Sequence, residues 1–467
     1  MTKSIKYISI VFVLAGFAAL SAGCGKKLDV TPKQSIGIGD AFKSEEEIVQ
    51  GIVGCYSIMR SASLYGTDLN IVSELLANAG TATWKGSFRQ YQEVESKNMN
   101  SINSAAIRMW VAGYQAINLA NVIHDVLTGA EAADIIPDTD RRDELIGETE
   151  FIRGLLHFEL VRLYGKQYDA ANLNTPGVVV KLEGATDTTG AGIKPVRNTV
   201  EQTYAQVITD LTSAAQKLPE TNDVRANKYT ALAFLSRVYL QQGEYKKALD
   251  AANEVIEQGG YAAPSNNLLR PFTAKNTDEV VFEIQQNDQN NAGTANDGLA
   301  TFYADLANGL GRGDFAVLQV FLDEYPANDK RADEWYYIGA EKGNISCAKW
   351  TEYGQNIPII RMAEMYLTRA ECNIRLGSTE GADPADDLAV ITNPDRTGVA
   401  TPAATLDNVL KQRRLELAFE GLNIHDVRRL RKQNGNYGWN DDKLVMPIPQ
   451  REIDATQGSL EQNAAYK

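Results

Sequence analysis

Residues 228–258 read KYTALAFLSRVYLQQGEYKKALDAANEVIEQ and hold the clearest repeated pattern of the chain. On both sides of Gly243, apolar and small residues recur every three or four positions, as on one face of an α-helix. In order along the chain they are Leu232, Leu235, Ser236, Tyr239, Tyr245, Ala248, Ala252 and Val255. Gly243 is suited to end the first helix. The stretch therefore predicts two antiparallel helices in close contact.

This helix pair resembles a tetratricopeptide repeat, in which small residues let two helices approach and aromatic residues fill the gaps. A partial copy spans residues 361–377, and the helix predicted to end at Gly165 is a weaker copy. Long insertions separate the copies, so the pattern favours a helical scaffold decorated with loops over a plain solenoid.

Helical periodicity elsewhere predicts a mainly α fold. Further helices are expected from Ser44 onward and at about 104–127, 140–164, 199–218 and 406–432. Residues 60–100 and 166–198 look irregular. Residues 261–357 form a loop-rich insertion with one strand-like run at 279–284, so small β elements are expected there. Long loops inside compact proteins are usually functional.

The N-terminal residues resemble a secretory leader. Lys3 and Lys6 precede an apolar run of residues 8–20, and small residues lead to Cys24. The ending LSAGC resembles the lipobox of bacterial lipoproteins, in which the cysteine is acylated. We expect a signal peptide at 1–23 and a lipidated tether at 24–40. The alternative is an ordinary signal peptide with a chance cysteine.

Composition narrows the class of partner. The formal net charge is −14, which argues against nucleic acid because phosphate binding needs a basic surface. Arginines cluster at 413–431, but interleaved acids favour an internal ion-pair network there. Of the four cysteines, Cys347 and Cys372 could pair, although the pattern favours buried thiols.

Catalytic and metal-binding patterns are not found in the sequence. The three histidines lie far apart, and no zinc, nucleophile or phosphate-loop motif occurs. Carboxylate pairs such as Asp386/Asp387 and Asp138/Asp140 are better explained as helix caps and turns than as a glycosidase pair. We expect no enzyme activity, no cofactor and no metal.

A sugar-binding function has a physical basis in the loops. Exposed aromatic rings stack on the C–H faces of sugars, and polar side chains bond the hydroxyls. The candidate ligand-binding residues are Asn78, Trp84, Arg89, Tyr303, Trp335 and Tyr336. The alternative is that these aromatic residues anchor loops onto the scaffold. Trp110 and Tyr114 lie on a helical stripe and are expected in the core.

Several segments resemble the SusD/RagB family of outer-membrane lipoproteins from the Bacteroidetes. The most specific are QRRLELAFEG at 412–421, DVRR at 426–429 and LVMPIPQREID at 444–454. Gln462 and Asn463, Pro358, and the run at 361–371 also match. In the N-terminal half the matches are Trp110, Tyr114, Asn118 and Asn121, and residues 150–165.

The resemblance implies a tetratricopeptide-like fold with family regions at 41–260 and 261–467. It also implies a non-catalytic lipoprotein of the outer membrane, anchored through Cys24, that captures oligosaccharides and passes them to a SusC-type TonB-dependent transporter. Some members capture peptides, and a purely structural adaptor is a further alternative. The anchor is expected to face the cell exterior, with the periplasmic face left open. The family's ligand site varies too much for any binding residue to carry over.

Overall fold

Helix α1 spans Glu45–Met59 and begins where the sequence predicts it. The Ser44 hydroxyl accepts a hydrogen bond from the Glu47 backbone N–H at 3.3 Å, and three glutamates in the first turn favour the helix dipole. The computed structural model describes residues 41–77, 80–186 and 194–467. The predicted signal peptide, Cys24 and the tether to residue 40 therefore lie outside the described residues.

Helices dominate the described residues up to 260, and the bounds predicted for the long ones are closely confirmed. After α1 they are α2 (Asp68–Ala77), α3 (Arg89–Glu95), α4 (Ser104–Thr128), α5 (Ala132–Ile135), α6 (Thr139–Tyr164), α7 (Val200–Lys217), α8 (Lys228–Gln242) and α9 (Tyr245–Gln258). Gly243 ends α8 in the left-handed conformation, with φ of 80°, as the helix-pair pattern requires.

The C-terminal half alternates short helices with strands. Its helices are α10 (Arg270–Thr273), α11 (Leu299–Tyr303), α12 (Gln319–Leu322), α13 (Lys330–Glu334), α14 (Met362–Leu376), α15 (Pro384–Thr392), α16 (Pro394–Thr397), α17 (Leu406–Glu416), α18 (Asn423–Arg429) and α19 (Gln450–Ala455). Short 3₁₀ turns occur at Gly293–Ala295, Asp442–Leu444 and Ala464–Tyr466.

The long helices pack one on the next in chain order. Helix α1 packs on α4, α4 on α6, α6 on α7, α7 on α8 and α8 on α9. Helix α9 then packs against α14, although 103 residues separate Gln258 from Met362. Leu240, Ala248, Leu249 and Cys372 form one buried cluster at this junction. The copy at 361–377 is thus stacked as the next repeat, and residues 259–361 form an excursion between two consecutive repeats. The boundary at residue 260 between the two regions stays a prediction.

Two small sheets are formed by five strands of the excursion and one earlier strand, β1. The strands are β1 (Ala82–Trp84), β2 (Val280–Ile284), β3 (Phe315–Val317), β4 (Tyr336–Ile338), β5 (Ile345–Cys347) and β6 (Ile357–Arg361). Four form an antiparallel sheet in the order β1-β3-β5-β4, and β2 pairs with β6. The expectation of small β elements is confirmed.

Two predictions about helices are wrong. Residues 60–100 are not loop-like throughout, because α2 lies there and all of its residues are buried. The single helix expected at 406–432 is two helices, α17 and α18, separated at 417–422. Phe419 breaks it by adopting a left-handed φ of 64° while its ring stays fully buried. Burial of that ring offsets the strain of the backbone.

The arginine-rich C-terminal segment is an internal ion-pair network, as predicted. Arg413 pairs with Glu364 at 3.2 Å and Asp426 at 2.9 Å, and Arg429 pairs with Asp426 at 2.6 Å and Glu371 at 2.8 Å. The cysteine prediction is also confirmed: Cys55, Cys347 and Cys372 are free and buried. Trp110 lies in the core, as predicted, whereas Tyr114 is only half-buried, with its hydroxyl donating to the Val179 carbonyl at 2.8 Å.

Candidate functional site

Three of the predicted ligand-binding rings lie in two buried aromatic clusters, Trp84 in one and Tyr303 and Tyr336 in the other, where both contact Phe419. Trp84 packs on Phe302 with ring centroids 5.2 Å apart, Tyr303 packs on Phe315 at 4.5 Å, and Tyr336 contacts Phe419 at 5.9 Å. Trp84 is 5 %, Tyr303 0 % and Tyr336 6 % exposed. The expectation that these rings are exposed is wrong, since burying each large ring in a mutual cluster is worth more than leaving it in water.

The remaining candidates, Trp335, Arg89 and Asn78, do not share one environment. Trp335 is fully buried, and its indole N–H donates to the Leu268 carbonyl at 3.1 Å, so it anchors one segment of the excursion to another. Arg89 begins α3 and is exposed, with its guanidinium paired to Glu93 at 2.7 Å. Asn78 lies outside the described residues. In this arrangement none of the four predicted rings offers a free face to a sugar.

Next to the cluster of Trp84 and Phe302, three loops meet in a surface that we call the loop face: residues 85–89, 305–314 and 338–344. The buried Asp314 joins all three. Its backbone carbonyl accepts from the Lys85 N–H at 2.6 Å, and its carboxylate binds the Arg312 guanidinium at 2.8 Å and the Lys342 ammonium. Because Asp314 is 1 % exposed, these charge-assisted bonds hold the loops together in a low-dielectric setting.

A second buried carboxylate, Asp305, ties the middle loop to the third. Its two oxygens accept from the backbone N–H groups of Glu341 at 3.0 Å and Lys342 at 2.9 Å. The Asp305 N–H donates to the Tyr337 hydroxyl at 3.0 Å. Burial raises the pKa of Tyr337, so this hydroxyl stays neutral at physiological pH. The loop face is thus held by side chains and not only by its flanking strands.

Alternating glycines shape the middle loop. Gly309, Gly311 and Gly313 have φ of 81°, 87° and 55°, a conformation that other residues rarely adopt. A side chain at Gly311 would also collide with the Ala304 carbonyl. These glycines bring the backbone of 308–313 back over α11, where the Arg312 N–H donates to the Thr301 carbonyl at 2.7 Å.

The outer side of the loop face combines an aromatic ring with polar groups. Phe88 is half-buried, rests on Phe302 at 5.5 Å between ring centroids, and has the Arg312 guanidinium 5.0 Å from its centroid. Leu306 and Leu310 are half-buried, and Asn308 is exposed. This mixture of apolar edges and amide or guanidinium donors suits a ligand with C–H faces and hydroxyls.

Sequence reasoning missed Phe88, because it lies among polar residues and no periodicity singles it out. It also missed Asp305 and Lys342. The run NGLGRG at 308–313 was the available signal, since glycine at every second position predicts a tightly turned loop.

The carboxylates weighed as a glycosidase pair have structural roles, as predicted from the sequence. Asp138 caps α6, and Asp387 binds Arg369 at 3.0 Å. Burial and the neighbouring Arg153 lower the pKa of His157 to about 3, and burial lowers that of His425 as well. Within the described ranges, no group of three or more metal-ligating side chains occurs. The same residues include no helix with both the length and the apolar character to cross a membrane.

Two family models match the chain. One, described as starch-binding and associating with the outer membrane, matches residues 26–240, and the SusD family model matches residues 335–466. The chain belongs to the SusD family. This confirms the resemblance read from its motifs. SusD-like protein P2 of Formosa agariphila is 24% identical over 95% of this chain and 97% of its own length.

Solved structures of SusD proteins share the fold. A SusD superfamily protein from Bacteroides thetaiotaomicron superposes with a TM-score of 0.80 and 26% identity, over 90% of this chain and 99% of that one. A laminarin-binding SusD-like protein superposes with a TM-score of 0.74 and 22% identity, over 91% of this chain and 100% of that one. The mainly helical fold with its tetratricopeptide-like scaffold is therefore that of the SusD superfamily.

Proposed function

We propose that this SusD-family chain is a non-catalytic protein that captures oligosaccharides on its loop face. The observation that carries the proposal is the juxtaposition of the half-buried Phe88 ring with the Arg312 guanidinium on loops clamped by Asp305 and Asp314, with the exposed Arg89 next to Phe88 in sequence. The starch-binding family model and the laminarin-binding relative of the same fold support a glycan as the ligand.

The loop face suits a sugar for two physical reasons. A ring edge and the leucine side chains of the middle loop cover C–H faces, while exposed guanidinium and amide groups donate to hydroxyls. The clamped loops also reduce the entropy lost when the ligand binds. The buried aromatic clusters are then the rigid base of the site and not its contact surface.

Isothermal titration calorimetry with a panel of oligosaccharides tests the proposal. At least one glycan should bind, and Arg89→Ala and Phe88→Leu should each weaken binding by about tenfold. Arg451→Ala is a matched control, since Arg451 is also exposed and paired with a neighbouring glutamate. Thermal unfolding of each variant separates lost binding from lost folding. Binding of peptides but of no glycan would favour peptide capture, and binding of neither would favour a structural adaptor.

We further propose that the protein is anchored in the outer membrane by acyl chains on Cys24, faces the cell exterior, and passes its ligand to a SusC-type TonB-dependent transporter. The outer-membrane description of the matching family model supports the location.

Cys24→Ser should abolish incorporation of a labelled fatty acid, and protease added to intact cells should digest the chain. Protection from protease in intact cells would place the anchor on the periplasmic side. If the protein does not co-purify with a SusC-type transporter from detergent-solubilised outer membranes, the proposed transfer of ligand to that transporter is contradicted.

A further inference from the structure

A groove is lined by residues of α2, of the α8–α9 turn, of α17 and α18, and of the segment that follows α18. It consists of two clefts of about 420 Å³ and about 520 Å³ that share Leu410, Leu430 and Lys432 as lining residues. We call it the α17–α18 groove. Its lining contains none of the residues of the loop face, so it is a separate feature of the surface.

The smaller cleft is the apolar half of the groove. Beyond the shared leucines, its apolar lining comprises Leu417, Ala418, Leu422 and Val427. Its two acids are already bound, since Glu74 accepts from the Gly421 N–H at 3.0 Å and Asp426 accepts from Arg413 and Arg429. This half offers burial to apolar side chains of an occupant.

The larger cleft is the basic half of the groove. It is lined by Arg375, Arg428, Arg429, Arg431 and Lys432, against only Asp169 and Asp407. Arg375 and Arg429 share Glu371, and Arg431 pairs with Asp169. Arg428, 2 % exposed, donates only to the backbone carbonyls of Arg162 and Gly165, each at 2.7 Å. Among the described residues Lys432 has no ion pair, so two cations of this half lack a carboxylate partner.

The rim of the basic half carries residues typical of protein interfaces. Tyr168 and Tyr245 are half-buried there, and the Arg375 guanidinium lies 4.7 Å from the Tyr245 ring centroid. Tyrosine and arginine are enriched among residues that carry the binding energy of protein interfaces. The basic half has more cationic than acidic lining residues, whereas the chain as a whole has a net charge of −14.

We propose that the α17–α18 groove docks an acidic, amphipathic segment of a partner protein. Apolar side chains of the segment would fill the half around Leu417 and Leu422, and its carboxylates would face the exposed Arg431 and Lys432. Charge complementarity selects this occupant over the chain's own predicted tether at 24–40, which carries three lysines and two aspartates and so shares the sign of the groove.

Fluorescence anisotropy with a labelled peptide of about twelve residues, built from repeated Leu-Glu-Glu, tests the proposal. The full mature chain should bind it at about 50 mM salt and less tightly at higher salt. The double variant R431E/K432E should weaken binding by about tenfold or more, because both cations line the groove at its exposed end. Lys275→Glu, an exposed lysine outside the groove, should have less than about a twofold effect.

Two comparison peptides make the result decisive. A Leu-Lys-Lys peptide should not bind, and a polyglutamate of equal length should bind at least about tenfold more weakly, because it lacks apolar side chains. The proposal is overturned if the Leu-Glu-Glu peptide fails to bind, if R431E/K432E leaves its affinity unchanged, or if polyglutamate binds equally well. Self-association of the chain that R431E/K432E abolishes would identify a second copy as the occupant and also overturn it.

Discussion

In the C-terminal half, individual buried carboxylates bind arginines from several different segments. Glu416 is fully buried and accepts from Arg396 at 2.7 Å and from Arg331 at 3.3 Å. Burial alone raises the pKa of Glu416, but the neighbouring guanidinium groups outweigh it and hold that pKa well below its ordinary value. The segments that contain Arg331 and Arg396 are therefore held together by their ion pairs with Glu416.

Glu416→Gln should lower the free energy of unfolding by about 3–5 kcal/mol, because it leaves buried guanidinium groups without their counter-charge. Chemical denaturation monitored by circular dichroism measures this. Glu254→Gln is the control, since Glu254 forms a partly exposed pair with Lys228 at 2.8 Å and should cost at most about 1 kcal/mol. Equal losses in the two variants would contradict the account.

Glu74 should make stability depend on pH near neutrality. Burial raises the pKa of Glu74 to about 7, above its value in the unfolded chain. The folded protein thus holds this proton more tightly, which stabilises it below about pH 4.5, and the contribution is lost as the pH rises through about 7. In Glu74→Gln the fall in unfolding free energy between pH 5 and pH 8 should be smaller by about 1–3 kcal/mol. Denaturation curves at both pH values check this, and an unchanged pH dependence would contradict it.

At the scale of elements, the helix pair α8–α9 was predictable because local signals agree. Leu235 and Ala248 follow the helical period, and Gly243 supplies the left-handed turn. Helix α2 was missed because it is short and its polar residues, among them Asn70 and Glu74, are buried like its apolar ones, so that no solvent-facing side marks it. The break between α17 and α18 was missed because it depends on burial of the Phe419 ring among residues distant in sequence.

Gly243→Ala tests the turn of the helix pair. With φ of 80°, alanine there should cost about 1 kcal/mol of unfolding free energy, although no atom lies closer than 3.9 Å to the added methyl group. Gly438→Ala is the matched control, because it has open space and no left-handed φ, and it should change stability by less than about 0.5 kcal/mol. Thermal and denaturant unfolding measure both. An unchanged free energy of unfolding in Gly243→Ala would contradict the requirement for a left-handed conformation at this turn.

At the scale of the whole molecule, a stacked helical scaffold is interrupted by a long excursion, and the excursion carries the loop face. The scaffold and the family could be predicted from sequence, because helical periodicity and motifs such as LVMPIPQREID are local. The candidate site could be predicted only as a region. The residues near Trp84 and Tyr303 do meet, but which rings are buried depends on contacts such as Trp84 with Phe302, which form between segments about two hundred residues apart.

The most direct test of the central claim is a crystal structure of the protein bound to the tightest-binding oligosaccharide of the panel. We expect a sugar against the Phe88 ring, with at least one hydroxyl within hydrogen-bond distance of Arg89 or Arg312. A sugar bound on the helical scaffold or in the α17–α18 groove, with the loop face empty, would contradict it.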